Sequence, residues 1–207
     1  MLNNLPVYIH KYTNVFYALM NVKRLATNKL GTSPEFFLEK EFTQRQDPWG
    51  YEKSEYERQR FEKLLLLVQS VPHKRVLEIG CAEGHFTQML GTICQDITAL
   101  DLSRTALSRA KPRVPKATFI HTTISEMQNF TKPFDLIICS EILCYVDKKQ
   151  EAIDKMAQNT KYILTSNAGL LALAIDPYFS KLKLVKKMYH MNLSEKKMTK
   201  IALWKVK

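Results

Sequence analysis

The 207-residue chain lacks the paired cysteines of a metal or dithiol site. Cys81, Cys94, Cys139 and Cys144 occur without any CxxC spacing, so neither a zinc ribbon nor a thioredoxin-type centre is expected. Four cysteines in a chain this long are also too few for a secreted disulfide scaffold, which predicts a reduced, cytoplasmic protein. His10, His73, His121 and His190 are scattered and suggest no metal site. Glycine and proline are scarce, at six and eight residues, which excludes collagen-like or low-complexity architecture. Long apolar runs are missing too. The longest lies near Leu170–Ile175, far below the roughly 20 residues that a membrane helix requires. Asn3, Asn4, Pro6, His10 and Lys11 interrupt the stretch where the apolar core of a leader would lie. A soluble protein with no membrane span is expected, and nothing in the composition bears on its oligomeric state.

Acid is missing from one region. Residues 177–207 hold nine lysines (181, 183, 186, 187, 196, 197, 200, 205 and 207) against one acid, Glu195. The whole chain carries a net charge of +11. Such a tail could attract an anionic substrate, a nucleic acid or a membrane surface. The plainer expectation is a solvated face of lysines alternating with core residues. What remains, 45% hydrophobic and 25% charged residues, suits a single well-buried core, so one domain overall is expected.

Hydrophobic rhythm then divides the chain. Residues 1–51 form a helical lead-in, with Tyr12, Phe16, Leu19 and Met20 at helical spacing and a turn at Asp47-Pro48-Trp49-Gly50. Ser54–Gln69 is helical again, with Pro72 closing it. Short apolar runs at Arg75–Ile79, Ile97–Leu100, Ala117–His121, Phe134–Cys139 and Tyr162–Thr165 predict buried strands. Helical stretches at Gly84–Thr92, Arg104–Lys111 and Lys148–Thr160 separate most of them, which argues for a doubly wound, mostly parallel α/β sheet. Lys183–Asn192 and Thr199–Lys205 follow as two strands with no helix between them. The expected fold is thus a single seven-stranded Rossmann-like sheet over 52–207, finished by an antiparallel strand and preceded by a helical lid.

The chemistry concentrates where the first strand, VLEIG, runs into CAEGHFTQML. Open α/β sheets bind ligands at the carboxyl ends of their strands. Gly80 and Gly84 let the backbone turn tightly and let a ligand approach, with Ala82 between them. A dinucleotide fingerprint counted from Gly80 would need glycine at 82 and glycine or alanine at 85, where this chain has Ala82 and His85. Glu78 would repel a pyrophosphate but suits the cationic methionine portion of S-adenosylmethionine. Asp101 stands 21 residues after Gly80 at a predicted strand tip, where an acid accepts hydrogen bonds from ribose hydroxyls. Ser103 is the better helix cap. The third signal is FDLIICSEILCYV, Phe134–Val146, whose Ser140 and Glu141 fall at the rim beside the same loop.

These three segments, in this order and spacing, resemble class I S-adenosylmethionine-dependent methyltransferases over roughly Glu52–Tyr162. DPWGYEKSEYERQR followed by VLEIGCAEGHFT is similar in particular to the nodulation protein S group, which N-methylates an amino sugar of lipo-chitooligosaccharides. The resemblance implies S-adenosylmethionine as cofactor and S-adenosylhomocysteine as product. It also implies a lid in which Trp49, Tyr56 and Arg60 enclose the donor, Arg60 pairing with its carboxylate. The implied donor set is Trp49, Tyr56, Arg60, Glu78, Gly80, Cys81, Ala82, Gly84, Asp101, Leu102, Thr123, Ile124, Ser140 and Glu141. After Tyr162 the likeness fades; the Pro-Gly-Gly turn usual before the fifth strand is replaced by AQNTKYILTS.

If the acceptor is an amine or hydroxyl, a base would help remove its proton, and Glu141, Tyr145 and His85 are the candidates. The expected acceptor is a small molecule or saccharide. A nucleic-acid methyltransferase is the second reading, which the basic tail permits. It is disfavoured by Ser140-Glu141-Ile142-Leu143, where exocyclic-base enzymes carry an Asn/Asp-Pro-Pro-aromatic turn. A non-catalytic S-adenosylmethionine-binding protein is the third.

Overall fold

The five apolar runs expected to be strands all join one sheet in the computed structural model, which describes residues 33–169 and 171–207. Strands β1 (Arg75–Ile79), β2 (Asp96–Asp101), β3 (Thr118–His121), β4 (Phe134–Ser140) and β5 (Thr160–Ala168) are parallel. β6 (Lys183–Asn192) and β7 (Lys197–Lys205) form a hairpin, and β7 pairs antiparallel with β5. The order across the sheet is β3-β2-β1-β4-β5-β7-β6. This is the expected Rossmann-like arrangement. Its central strands are sealed on both faces, with Val76, Leu77, Leu136, Ile137 and Ile138 wholly buried, as parallel strands require.

Among the described residues six helices flank the sheet: α1 (Pro34–Gln44), α2 (Glu55–Gln69), α3 (His85–Leu90), α4 (Arg104–Arg113), α5 (Lys149–Asn159) and α6 (Leu171–Ile175). Serine side chains start three of them. Ser33, Ser54 and Ser103 accept hydrogen bonds from the N–H groups of Phe36, Glu57 and Ala106, each satisfying a donor that the first helical turn leaves unpaired. Leu64, Leu67, Val68, Phe86 and Leu90 of α2 and α3 pack one face of the sheet. Ile153 and Met156 of α5, with Phe179, pack the other beside Trp204.

The structure differs from expectation at several boundaries. α3 begins at His85 rather than Gly84 and ends at Leu90, because Gly84 has φ 80° and forms the left-handed entry to the helix. β5 starts at Thr160, directly after α5, and continues to Ala168 because β7 pairs with it from Tyr162 to Ala168. Among the described residues no helix is long and apolar enough to cross a membrane. Tyr12, Phe16, Leu19 and Met20 lie outside the described residues.

One switch of direction places the site. The chain leaves β1 toward β2 and β3, then returns to β4 on the other side of β1, so a crevice opens between the carboxyl ends of β1 and β4. α1 and the Asp47–Gly50 turn, closed by a 3.0 Å bond from Gly50 N–H to the Asp47 carbonyl, lie over the loop after β1. Phe42 and Trp49 pack on Ala82 and Ala106.

One side chain ties α1 down. The Glu39 carboxylate accepts from Ser103 Oγ (2.7 Å), Thr105 Oγ1 (2.6 Å) and Thr105 N–H (3.3 Å). Burial raises its pKa, but these bonds outweigh burial and hold it below the ordinary range. The position is the N-terminus of α4, where a negative charge is favoured. Replacing Glu39 with Ala removes charge-assisted bonds together worth about 1–2 kcal/mol at a partly solvated site. Amide hydrogen exchange should therefore quicken about tenfold in α1 and stay unchanged in α5. Equal quickening in both would show general destabilisation instead.

Candidate active site

The loop after β1 is held in an unusual backbone conformation. Gly80, Ala82 and Gly84 all have positive φ, 75°, 49° and 80°. Gly80 N–H and Cys81 N–H both donate to the Leu100 carbonyl (2.7 and 3.0 Å), and Gly84 N–H donates to the Cys81 carbonyl (2.9 Å). Glycine suits position 80 for a second reason. A Cβ there would fall 2.0 Å from Ile142 Cδ1. Alanine at 82 is the non-glycine exception, and its N–H donates to Asp101 Oδ2 at 2.8 Å.

Asp101 accepts a second backbone bond, from Ser103 N–H to Oδ1 at 2.9 Å. Burial pushes its pKa up, and the bonds from Ser103, Ala82 and Leu102 hold it back. Ser103 caps α4, which leaves Asp101 at the strand tip. Leu102, one residue on, lines a surface cleft of about 370 Å³ with Phe36, Glu39, Arg104 and His121.

A second, enclosed cavity lies between the ends of β1 and β4. It is lined by Tyr51, Arg60, Phe61, Glu78, Gly80, Cys81, His85, Phe86 and Ser140. Its volume of about 20 Å³ is room for one water. Glu78 is buried at its base and accepts from Thr87 Oγ1 at 2.6 Å. Desolvation raises its pKa to about 8, against the pull of Thr87.

Arg60 is the largest fully buried side chain among the described residues. Its guanidinium donates to Ser140 Oγ (2.7 Å), Ser166 Oγ (2.9 Å) and Glu57 Oε2 (2.7 Å). Glu141, at φ 59°, accepts from Ala168 N–H (3.0 Å) and Ser166 Oγ (3.2 Å). Burial raises its pKa despite the Arg60 charge. α2 therefore reaches across the carboxyl ends of β4 and β5 through one cation and two serines.

Of the residues singled out from the sequence, the structure gathers Arg60, Glu78, Gly80, Cys81, His85 and Ser140 around the enclosed cavity. Trp49 lies over the glycine loop, packed against Ala82 and edge-on to Phe42 at 6.2 Å. Tyr56 goes elsewhere. Its ring stacks on His190 at 4.2 Å and its hydroxyl donates to Thr199 Oγ1 at 2.9 Å, on the β6–β7 hairpin. Tyr56 and Arg60 do share a buried face of α2, but one helical turn apart they meet different parts of the sheet. Thr123 caps the short helical turn at Ile124–Asn129 by accepting from Ser125 N–H, and Ile124 packs on the core beneath it. Tyr145 is half-buried in the turn after β4, its hydroxyl held far above the ordinary pKa by burial.

Both ring nitrogens of His85 are buried without a hydrogen-bond partner. Burial, then the charge of Arg113, lowers its pKa, so the ring is neutral near pH 7. Asp47, Glu52 and His85 bring one ligand-type atom each within 4.8 Å of one another, a grouping the scattered histidines did not suggest. The Asp47 carboxylate is already engaged there by Tyr51 N–H and Glu52 N–H, both at 2.8 Å. Tyr51, Phe61 and Phe86 were also missed. Tyr51 follows Trp49-Gly50 directly, and Phe61 lies next to Arg60, so adjacency to selected residues was the available signal.

Comparison with known proteins identifies the family and the fold. The family model of nodulation protein S matches residues 33–175. Nodulation protein S of Rhizobium tropici is 31% identical over 138 residues, 65% of this chain and 58% of that protein. Its counterpart in Azorhizobium caulinodans is 32% identical over 149 residues, 71% of each chain. The crystal structure of the N-methyltransferase NodS from Bradyrhizobium japonicum WM9, in complex with S-adenosylhomocysteine, superposes with a TM-score of 0.72 at 26% identity, covering 82% of this chain and 96% of that one. The match spans less than two thirds of the Rhizobium tropici protein's length. A family match over more than half of the sequence, with the same fold, places the chain in the nodulation protein S family.

Proposed function

We propose that the protein transfers the methyl group of S-adenosylmethionine to a nitrogen or oxygen of a small-molecule or saccharide acceptor. The observation that carries this reading is the enclosed cavity beside Gly80, which is lined by one buried acid, Glu78, and one buried guanidinium, Arg60. That pair complements the ammonium and carboxylate of an amino acid. The methyl donor ends in such a group.

The remaining residues fit the rest of the donor. Gly80 leaves the backbone bare where a ligand passes, provided the Ile142 side chain above it turns aside. Asp101 has lone pairs left after its two backbone bonds, so it can accept from ribose hydroxyls. Leu102, Thr123 and Ile124, at the ends of β2 and β3, stand where an adenine would lie. Trp49 and Tyr51 cover the loop. When bound, S-adenosylmethionine supplies a methyl group activated by positive sulfur. The chain's task is to align the acceptor with that group and keep water out.

Deprotonation of the acceptor falls to one of two groups. Burial holds the Tyr145 hydroxyl above its ordinary pKa, which favours the other two candidates. His85 is neutral, with free lone-pair capacity. Glu141 stands at the β4 end, its pKa raised by burial toward that of a working base. A labelled-methyl assay over amino sugars, small amines, phenols and tRNA would identify the acceptor class. Methylation of tRNA alone would overturn the small-molecule reading.

Two binding measurements test the donor site. Calorimetry should show S-adenosylhomocysteine binding, and Asp101→Ala should weaken it at least about tenfold, since two ribose bonds and the loop's anchor are lost together. Unchanged affinity would remove the ribose assignment. The second measurement uses pH. Glu78, at about 8 in the free protein, is protonated at pH 6.5. A bound ammonium lowers that pKa, so binding expels a proton and affinity rises with pH, up to about tenfold per unit, until pH 8. Glu78→Gln should flatten this slope. A wild-type slope of zero or of opposite sign would mean that Glu78 does not face the ammonium.

A further inference from the structure

The C-terminal hairpin lies beyond the family match, which ends at residue 175, and its lysines have no part in the site above. The two strands differ sharply. β7 is buried from Thr199 to Trp204, whereas β6, at the sheet's edge, buries only His190. The pairing with β7 sorts the side chains of β6. Lys186, Met188 and His190 oppose Leu203, Ile201 and Thr199, on the side where Met188 packs beneath α2. Leu184, Lys187, Tyr189 and Met191 share the other side with Trp204 and Ala202.

That other side is open and apolar. Five of the nine exposed large hydrophobic residues among those described fall in ten consecutive positions: Leu184 (40%), Val185 (48%), Tyr189 (44%), Met191 (50%) and Leu193 (86%). Concentration of this kind marks an interaction surface. Exposed Lys187 lies on it and exposed Lys181 and Lys196 flank the strand at its two ends, whereas Lys183 and Lys197 fall on the α2 side, where Lys197 pairs at 2.7 Å with Glu195, the only acid from 177 onward.

We propose that this edge face rests on an anionic lipid surface. The lysines supply attraction to acidic headgroups, a sum of small terms within a Debye length of the membrane. Leu193 at the hairpin tip, with Met191 and Tyr189 behind it, supplies apolar area for the headgroup boundary, and tyrosine suits that boundary because it has an apolar body and a polar end. A second copy fits less well, since antiparallel pairing of β6 with itself would set its lysines against one another. A nucleic acid also fits less well. Residues 177–207 contain no arginine, and aliphatic side chains gain nothing from a phosphate backbone.

Co-sedimentation of the full chain with phosphatidylcholine vesicles, with and without phosphatidylglycerol, tests the proposal. Binding should need phosphatidylglycerol and fall about tenfold or more in high salt. Lys181→Glu/Lys187→Glu and, separately, Met191→Ser/Leu193→Ser should each weaken it about tenfold without lowering the melting temperature, because all four side chains are exposed. The proposal is overturned by no binding to either vesicle, by vesicle binding that the Met191→Ser/Leu193→Ser variant leaves intact, by tighter binding to RNA than to lipid, or by a stable dimer that the same substitutions dissociate. The readout is independent of methyl transfer.

Discussion

Two backbone N–H groups converge on the carboxylate of Asp101, and much of the site hangs from that convergence. One comes from Ala82, held at φ 49° in the loop after β1, and the other from Ser103 at the start of α4. A left-handed alanine costs roughly 1–2 kcal/mol, and a buried carboxylate bonded by two amides offsets that cost. Ser103 in turn donates to Glu39, which anchors α1, and α1 carries Phe42 onto Ala82. Loop, strand tip, helix start and lid are thus fixed through one acid. Because desolvation still dominates its pKa, the ionised form has fewer donors than it can use. Under the proposed donor site, ribose hydroxyls would make up that deficit.

The second organising charge is Arg60. Removing a guanidinium from water is expensive, and only a full set of partners makes it tolerable. Here Glu57 comes from its own helix, while Ser140 and Ser166 come from neighbouring strands paired in register. Glu141 adds a second negative charge nearby without a direct bond to the guanidinium. The arrangement couples α2 to the ends of β4 and β5 and leaves the cation beside the cavity. Glu78 works in the opposite sense. It has one hydroxyl partner, Thr87, and no cation in contact, so it stays protonated to about pH 8.

The sheet was legible in the sequence because buried parallel strands are written as short apolar runs, and both Lys183–Asn192 and Arg75–Ile79 came out with their observed ends. The glycine loop was legible because Gly80 and Gly84 answer a local backbone demand. One helix start was legible through its serine cap, Ser103. What could not be read are contacts between segments far apart in the chain. Glu39 meets Thr105 across 66 residues and Tyr56 meets Thr199 across 143, and no periodicity encodes either. Tyr56 shows the limit: spacing of four gave the correct helix face, but not which part of the sheet that face would cross.

The tail shows the same limit from the other side. Lysines alternating with apolar residues read as a solvated strand with a buried face, but β7 is buried on both faces from Thr199 to Trp204, Lys200 included. β6 carries a similar alternation yet hides almost none of it. The difference lies in position, not composition. β7 is flanked by β5 and β6 and covered by Phe179, stacked on Trp204 at 4.7 Å. β6 has a neighbour on one side only, and only its α2-facing residues find cover, through His190, which bonds Lys63 and the Tyr56 carbonyl. An alternating pattern states which residues share a face; whether that face is buried depends on what the fold brings to it. On β6 the fold brings nothing to the face of Tyr189 and Met191 among the described residues, so apolar side chains that read as core become surface.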